Sequence, residues 1–385
     1  LEDIRDAFLL VYPNVTLDWQ FLDDFQTKFQ TAMAAGRGGP DLYWAEASLV
    51  QQYGSLGALL ETTDIIQPVE GDLLAGKLSE AWVESREGYY GMPGDLSVSS
   101  IFYNAKVLEE LGINLSEGMM YDEFLSVMEQ VAAAGKNALI WPAEAAPMPL
   151  GLYSFFNAQY GGNGPVTCDN SAVTINDEAS IKAVQLMKDM YDTGAMLEID
   201  WLGPEYWDAI NKDQLLITFS PAWERGFWEN NIDESQFGNW KTMPLPLAVE
   251  GGPNTGIWGG ATLVATADTE EPELAKRFMS FAFASMQGSE AAADWGIIPP
   301  YIPYLEGPYQ ETRTKLFGDQ NIADVILELG NSMSTEFCRP AAFTPILNEF
   351  FTPRANEIIK EGADVKTVLD EIAEEFEPFL IDYQN

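Results

Sequence analysis

Apolar residues recur every three to four positions in several stretches of this chain, and short β-type runs lie between them. Ile4, Phe8 and Val11 share one face of a helix expected over 1–12. Phe21, Phe25, Phe29 and Met33 repeat that spacing over 21–35, and Gly36 supplies a stop. Phe124, Met128 and Val131 mark a helix over 120–134 that ends at Gly135. Ile181, Val184, Met187 and Tyr191 mark one over 179–193 that ends at Gly194, and Leu274, Phe278, Phe281 and Ala282 mark 271–285. Asp364 is the expected N-cap of a last helix, with Val365, Val368, Leu369, Ile372 and Phe376 on its apolar face. Strands are expected at 15–17, 101–103, 138–141, 215–219 and 262–267. Strands alternating with helices predict an α/β chain with mainly parallel sheets.

The chain has 385 residues, which at about 150 residues per domain suggests two or three domains. Its hydrophobic content of 46% is enough for a packed core. Acidic residues number 60 and basic residues 20, a formal net charge of −40. Such a chain repels phosphate backbones, which argues against nucleic-acid binding. Most of this acidity reads as solvated surface. The sequence has no histidine, which excludes Ser-His-Asp triads, Cys-His dyads and His-ligated zinc. No calcium-loop motif occurs, and neither a metal nor a cofactor is expected. Apolar runs are too short for a membrane-spanning helix. Cys168 and Cys338 fit either one disulfide outside the cell or two free thiols. Leu1 is not an initiator methionine, and the sequence reads as a processed chain.

Several motifs, in order, resemble one family. Tyr12-Pro13-Asn14-Val15 comes first, then the amphipathic run from Lys28 to Gly36 leading to Pro40-Asp41-Leu42-Tyr43-Trp44. Gly88-Tyr89-Tyr90-Gly91-Met92-Pro93 and Phe102-Tyr103-Asn104-Ala105-Lys106-Val107-Leu108 follow. Downstream lie Ser220-Pro221-Ala222-Trp223, Met243-Pro244-Leu245-Pro246, Gly259-Gly260-Ala261-Thr262-Leu263 and Glu273-Leu274-Ala275-Lys276-Arg277-Phe278. Together they are similar to the extracellular solute-binding proteins of ABC transporters, in the carbohydrate branch typified by maltose-binding protein. The resemblance implies a periplasmic-binding-protein-like α/β fold of two lobes, a three-crossing hinge and an interlobe cleft. It puts the crossings near 97–103, 258–262 and 334–339. The N-lobe would then be 1–103 plus 262–333, and the C-lobe 104–261 plus 334–385. The family opens with a strand before its first helix, and this sequence begins at that helix.

The implied function is capture of a sugar or oligosaccharide and its delivery to a membrane permease, without bond cleavage, by a monomer. The implied location is extracellular or periplasmic, with a lipid anchor on a removed leader as the Gram-positive form. A sugar presents apolar C–H faces and a rim of hydroxyls, so its site needs aromatic platforms and fixed polar groups. The sequence has 11 Trp. By resemblance, Trp44 and Trp223 are the platforms. Trp258 with Gly259, Trp295 and Trp141 are further lining candidates, while Trp201 and Trp228 read as packing or rim. The polar candidates are Glu46, Asp95, Ser97, Glu224, Arg225 and Arg339, since a carboxylate accepts two hydroxyls and a guanidinium donates to two. Arg339 reads equally well as an interlobe ion pair, and Asp95 as a turn residue. Two alternatives remain at this point. An acidic cleft of the same fold suits a polyamine, a peptide or a metal complex, and paired carboxylates suit a glycoside hydrolase.

Overall fold

The computed structural model describes residues 2–21, 25–142, 148–294, 296–334 and 336–384. Seven strands carry the two larger sheets of the described residues: β1 (Leu42–Glu46), β2 (Met92–Pro93), β3 (Ser99–Asn104), β4 (Asn137–Ala138), β5 (Leu215–Pro221), β6 (Trp240–Met243) and β7 (Ala261–Ala265). The first sheet has the order β1-β7-β2 and the second β6-β3-β5-β4. The architecture is thus α/β, with helices flanking two separate sheets.

The periodic segments fold as their pattern predicts. Helices span Glu2–Val11, Phe25–Ala35, Tyr121–Ala133, Glu178–Asp192, Pro272–Phe283 and Val365–Phe376. The Asp364 carboxylate accepts the Thr367 backbone N–H at 2.9 Å, satisfying a donor that the first helical turn leaves free. Residues 15–17 form no strand, although Val15 and Leu17 still pack on the first sheet's core.

The sheets are mainly antiparallel, which corrects the expectation of parallel ones. β7 runs antiparallel to both β1 and β2, and β3 runs antiparallel to both β5 and β6; β4 with β5 is parallel. The cause is the path of the chain. β1 ends at Glu46, opposite Ala261, where β7 begins its return from the second sheet. A strand re-entering from that end must run against its neighbour. β1 also alternates faces: Leu42 and Trp44 pack in one apolar cluster, Tyr43 and Ala45 in another.

Two chain segments connect the sheets side by side. Val98 pairs with Ile257, Ser99 N–H donates to Gly256 O at 2.9 Å, and Trp258 N–H donates to Ser97 O at 3.1 Å. All of β3 belongs to the second sheet, so this crossing is complete before Ser99. The helix Ile322–Ser332 also joins the second sheet's apolar cluster, and Gln320 bridges to both backbone groups of Thr242 on β6.

The third connection is anchored covalently. Cys168 and Cys338 form a disulfide with Cα atoms 5.5 Å apart and 170 positions apart in sequence. This selects the first of the two cysteine readings. The bridge pins the residue just before Arg339 to a loop of the second half, where Cys338 N–H also donates to Asn163 O at 3.3 Å. Closing so long a loop restricts the unfolded chain, and such bridges contribute about 2–5 kcal/mol. Cys168→Ser/Cys338→Ser is therefore expected to melt below the wild type in calorimetry, and reductant should lower the wild-type midpoint only. An unchanged midpoint in both experiments would show that the bridge contributes nothing.

The candidate ligand cleft

Charge is buried in few places. Among the described residues, the charged residues that are almost fully buried are Lys77, Glu80, Asp95 and Glu224, and the Arg339 side chain is as buried as that of Glu80. Burying a charge is costly unless it is paired. All four lie where the two sheets meet.

Two of them, with Arg339, make one network. Lys77, 0% exposed, sits on the short helix Ala75–Leu78 and contacts the Glu80 carboxylate. The other Glu80 oxygen accepts from Arg339 Nη2, and Arg339 Nη1 donates to Gly259 O at 2.7 Å. Arg339 therefore clamps the third connection to the second connection and to the first half at once. Gly259 and Gly260 have φ of 69° and 75°, the left-handed region that glycine adopts without strain. A Cβ on Gly260 would lie 2.2 Å from Ser97 Oγ and 2.9 Å from Lys77 Nζ, so the close approach also excludes any larger residue.

Asp95 borders the same network. Burial pushes its carboxyl up to about 6, opposed by the Lys77 ammonium and the Ile298 N–H and reinforced by Glu80. Burial likewise pushes Lys77 down, against the pull of Glu80. Asp95 Oδ1, Ser97 Oγ and Arg339 Nε have no hydrogen-bond partner among the described residues. Buried polar atoms are normally satisfied, so these are open valences at the root of the cleft.

Joined to them through Trp258, whose N–H donates to Ser97 O, is a group of three indoles. Trp201 stacks on Trp258 with centroids 4.2 Å apart and planes 20° apart. Trp223 meets Trp201 edge-on at 5.6 Å and donates its N–H to Trp258 O at 3.1 Å. Trp258 rests on the helix Met148–Gln159, where a Cβ on Gly151 would lie 2.6 Å from its ring. Trp201 and Trp223 keep part of their surface exposed. Behind them Glu224, 0% exposed, takes three donors on Oε1: Trp201 Nε1 at 3.2 Å, Tyr206 OH at 2.8 Å and Trp228 Nε1 at 3.0 Å. Burial pushes this carboxyl up to about 6, and those donors hold it lower than burial alone would.

The sequence-derived candidates divide accordingly. Trp223, Trp258, Gly259, Asp95, Ser97 and Arg339 come together, and Arg339 is indeed an ion-pair residue. Trp44 lies close by: its ring packs under Gly94 and 5.2 Å from Phe283, half-buried on the first sheet. Glu46 is exposed at the end of β1, opposite Ala261. Glu224 lies behind the indoles rather than beside Arg225. Arg225 approaches Glu229 at 3.6 Å, and its Nε has no partner among the described residues. Trp141 does not line the cleft: it is 1% exposed in the core, and its N–H donates to Asn356 at 2.8 Å. Its apolar context Leu139-Ile140-Trp141 was the signal for that burial. Trp295 lies outside the described residues. Lys77, Glu80 and Tyr206 are not among the sequence-derived candidates, and Trp201 is there only as packing or rim. A lone lysine within Leu73-Leu74-Ala75-Gly76-Lys77-Leu78, in a chain with only 20 basic residues, was the available clue for the first.

A family model described as bacterial extracellular solute-binding protein matches residues 13–307. Two curated relatives, the arabinooligosaccharide-binding proteins of Halalkalibacterium halodurans and Bacillus subtilis, are each 24% identical to this chain, over 353 and 274 residues. These matches cover 88% and 69% of the chain, and 76% and 60% of the relatives. The galacto-N-biose-/lacto-N-biose I-binding protein of an ABC transporter from Bifidobacterium longum superposes with a TM-score of 0.80 at 20% identity, covering 99% of this chain and 93% of that one. The sugar-binding protein MalE from Xanthomonas citri gives 0.82 at 17% identity, covering 99% and 94%. These likenesses establish the fold as the one shared by such binding proteins. Since the family model takes in every strand of both sheets, the chain belongs to the bacterial extracellular solute-binding proteins.

Proposed function

We propose that the chain captures a carbohydrate between its halves and delivers it to the permease of an ABC importer. The observation that carries this reading is that the Trp201–Trp223–Trp258 group adjoins, through the Trp258–Gly259 segment bound by Ser97 and Arg339, the unpartnered Asp95 Oδ1, Ser97 Oγ and Arg339 Nε. Indoles cover the C–H faces of a sugar, and the open polar atoms take its hydroxyls. Trp44 and Glu46 would close the site from the first sheet. The relatives' names make an arabino-oligosaccharide the first candidate. The two halves correspond to the sheets, with 1–103 plus 262–333 and 104–261 plus 334–385 as the expected division. Strand pairing favours moving residues 99–104 and 317–332 to the second half. The protein works outside the cytoplasmic membrane as a single chain and breaks no bond. The network of Lys77 and Arg339 with Glu80 and Asp95 balances its charges, which disfavours a polyamine.

A thermal-shift panel of arabino-oligosaccharides, malto-oligosaccharides and polyamines checks the ligand class. A ligand at about 100 times its Kd stabilises the fold by roughly 2.7 kcal/mol. The reading expects sugars alone to raise the midpoint; a response only to polyamines overturns it. Trp223→Ala should weaken sugar binding at least about tenfold in calorimetry, whereas Trp141→Phe should leave the affinity near wild type. Equal affinities in both would remove the indole wall from the site.

Asp95 gives the reading a pH signature. Its raised pKa means that the folded chain holds a proton between about pH 4 and 6 that the unfolded chain has released. Its contribution to stability is therefore complete below about 4 and lost as pH rises through about 6. Accepting two hydroxyls needs the carboxylate, so sugar affinity should rise over that same upper limb. Asp95→Asn should weaken binding at neutral pH and flatten the profile. A variant with the full wild-type profile would take Asp95 out of the ligand's contacts.

A further inference from the structure

From the sequence, Trp201 reads as packing or rim and Glu224 as a polar ligand candidate; in the structure the Trp201 N–H donates to Glu224 Oε1. We propose that Trp201 is a ligand-contacting ring of the cleft wall and that Glu224 is the positioning residue that sets its orientation through the indole N–H. This rests on the carbohydrate reading and adds to it which rings recognise the sugar and what holds them.

Three observations converge. First, Trp201 is the central ring of the group, stacked on Trp258 at 4.2 Å and edge-on to Trp223 at 5.6 Å, with part of its surface still open. Offset or edge-on rings at these distances attract, yet the attraction alone leaves a ring free to slide in its plane. A directional bond at the ring edge removes that freedom. The Glu224 bond at 3.2 Å is the one that the Trp201 N–H makes.

Second, the anchor is itself immobile. Glu224 lies at the short 3-10 turn Ala222–Glu224 that ends β5, so its backbone is fixed by the second sheet. Its Oε1 also accepts Tyr206 OH and Trp228 Nε1, two side chains buried in the core. Three donors on one oxygen locate it in space. The same turn carries Trp223, whose N–H is bound to Trp258 O. Two adjacent residues therefore fix the whole indole group, one by its ring and one by its carboxylate.

Third, the cost of the arrangement has no structural return that a hydrocarbon would not give. A buried carboxylate is expensive, and well-packed apolar replacements are often as stable or more so. An acceptor at this position matters for the directions of its donors. Of these, Trp201 reaches the cleft; Tyr206 and Trp228 are buried.

The test uses Glu224→Gln, Glu224→Leu, Trp201→Phe and the Glu224→Leu/Trp201→Phe double variant. Each is measured for the tryptophan exciton band in circular dichroism without ligand, and for arabinotriose affinity by calorimetry. Glutamine keeps an acceptor for the three donors, so Glu224→Gln should retain the band and bind within about threefold of wild type. Glu224→Leu and Trp201→Phe should each change the band and lose about tenfold or more in affinity, the loss of one oriented contact. The double variant should bind no worse than the weaker single one, because both remove the same bond. The proposal is overturned if Glu224→Leu keeps the band, if Glu224→Gln fails like leucine, or if the two losses add in full. Should Glu224→Leu misfold, Trp201→Phe and Glu224→Gln still decide the matter. Loss of binding in Trp223→Ala with wild-type affinity in the Glu224 and Trp201 variants rejects this inference alone. No arabinotriose binding by the wild type counts against the arabino-oligosaccharide assignment, and the spectroscopic arm still decides the orienting role.

Discussion

The guanidinium of Arg339 holds three parts of the chain together. One arm reaches the carbonyl of Gly259, the other the carboxylate of Glu80, and Glu80 in turn meets Lys77. Everything else about the cleft is arranged around that knot. Gly260 is needed because Ser97 and Lys77 crowd the same space, and both Gly259 and Gly260 take a positive φ. The disulfide one residue before Arg339 keeps the arginine from drifting away from the second half. A buried ion network of this kind is no guarantee of stability, since desolvation can exceed the Coulombic gain. Its physical consequence is geometric: charged groups in a dry place accept few alternative arrangements.

The two walls of the cleft use different physics. The polar root presents donors and acceptors that are already desolvated, so a hydroxyl that fits them recovers a hydrogen bond whose cost was met on folding. The indole wall offers area and flatness, with little side-chain freedom left to lose. Division of labour between a directional floor and a flat wall suits a ligand with both hydroxyls and C–H faces. It also accounts for the buried acids. In a chain of 60 carboxylates, those almost fully buried among the described residues are Glu80, Asp95 and Glu224, and each is held by hydrogen bonds or ion pairs near the meeting of the two sheets.

Much of the fold was legible in the sequence because one face of each surface helix meets water. The segments around Phe124, Ile181 and Leu369 show the 3.6-residue pattern for that reason, and each folds as expected. The helix Met148–Gln159 left no such trace: nearly all its residues are buried, so it has no polar stripe. Strand direction was hidden as well, because it depends on the path through the connections and not on local pattern. At the site, Trp223 stands in a recognisable motif, and Arg339 at the third crossing that the resemblance implies. Glu80 and Arg339 meet across 259 positions, and Trp201 owes its place to Glu224 and Trp258, neither of which is a sequence neighbour. No local signal encodes such meetings.

The account's central claim is that a sugar sits between the indole wall and the polar root. A crystal structure with an arabino-oligosaccharide tests it directly. The account predicts a ring stacked on Trp223 and Trp201, with hydroxyls bound to Asp95, Ser97 and Arg339. A sugar bound elsewhere, with the Arg339–Glu80 knot and the indoles untouched by ligand, would contradict it.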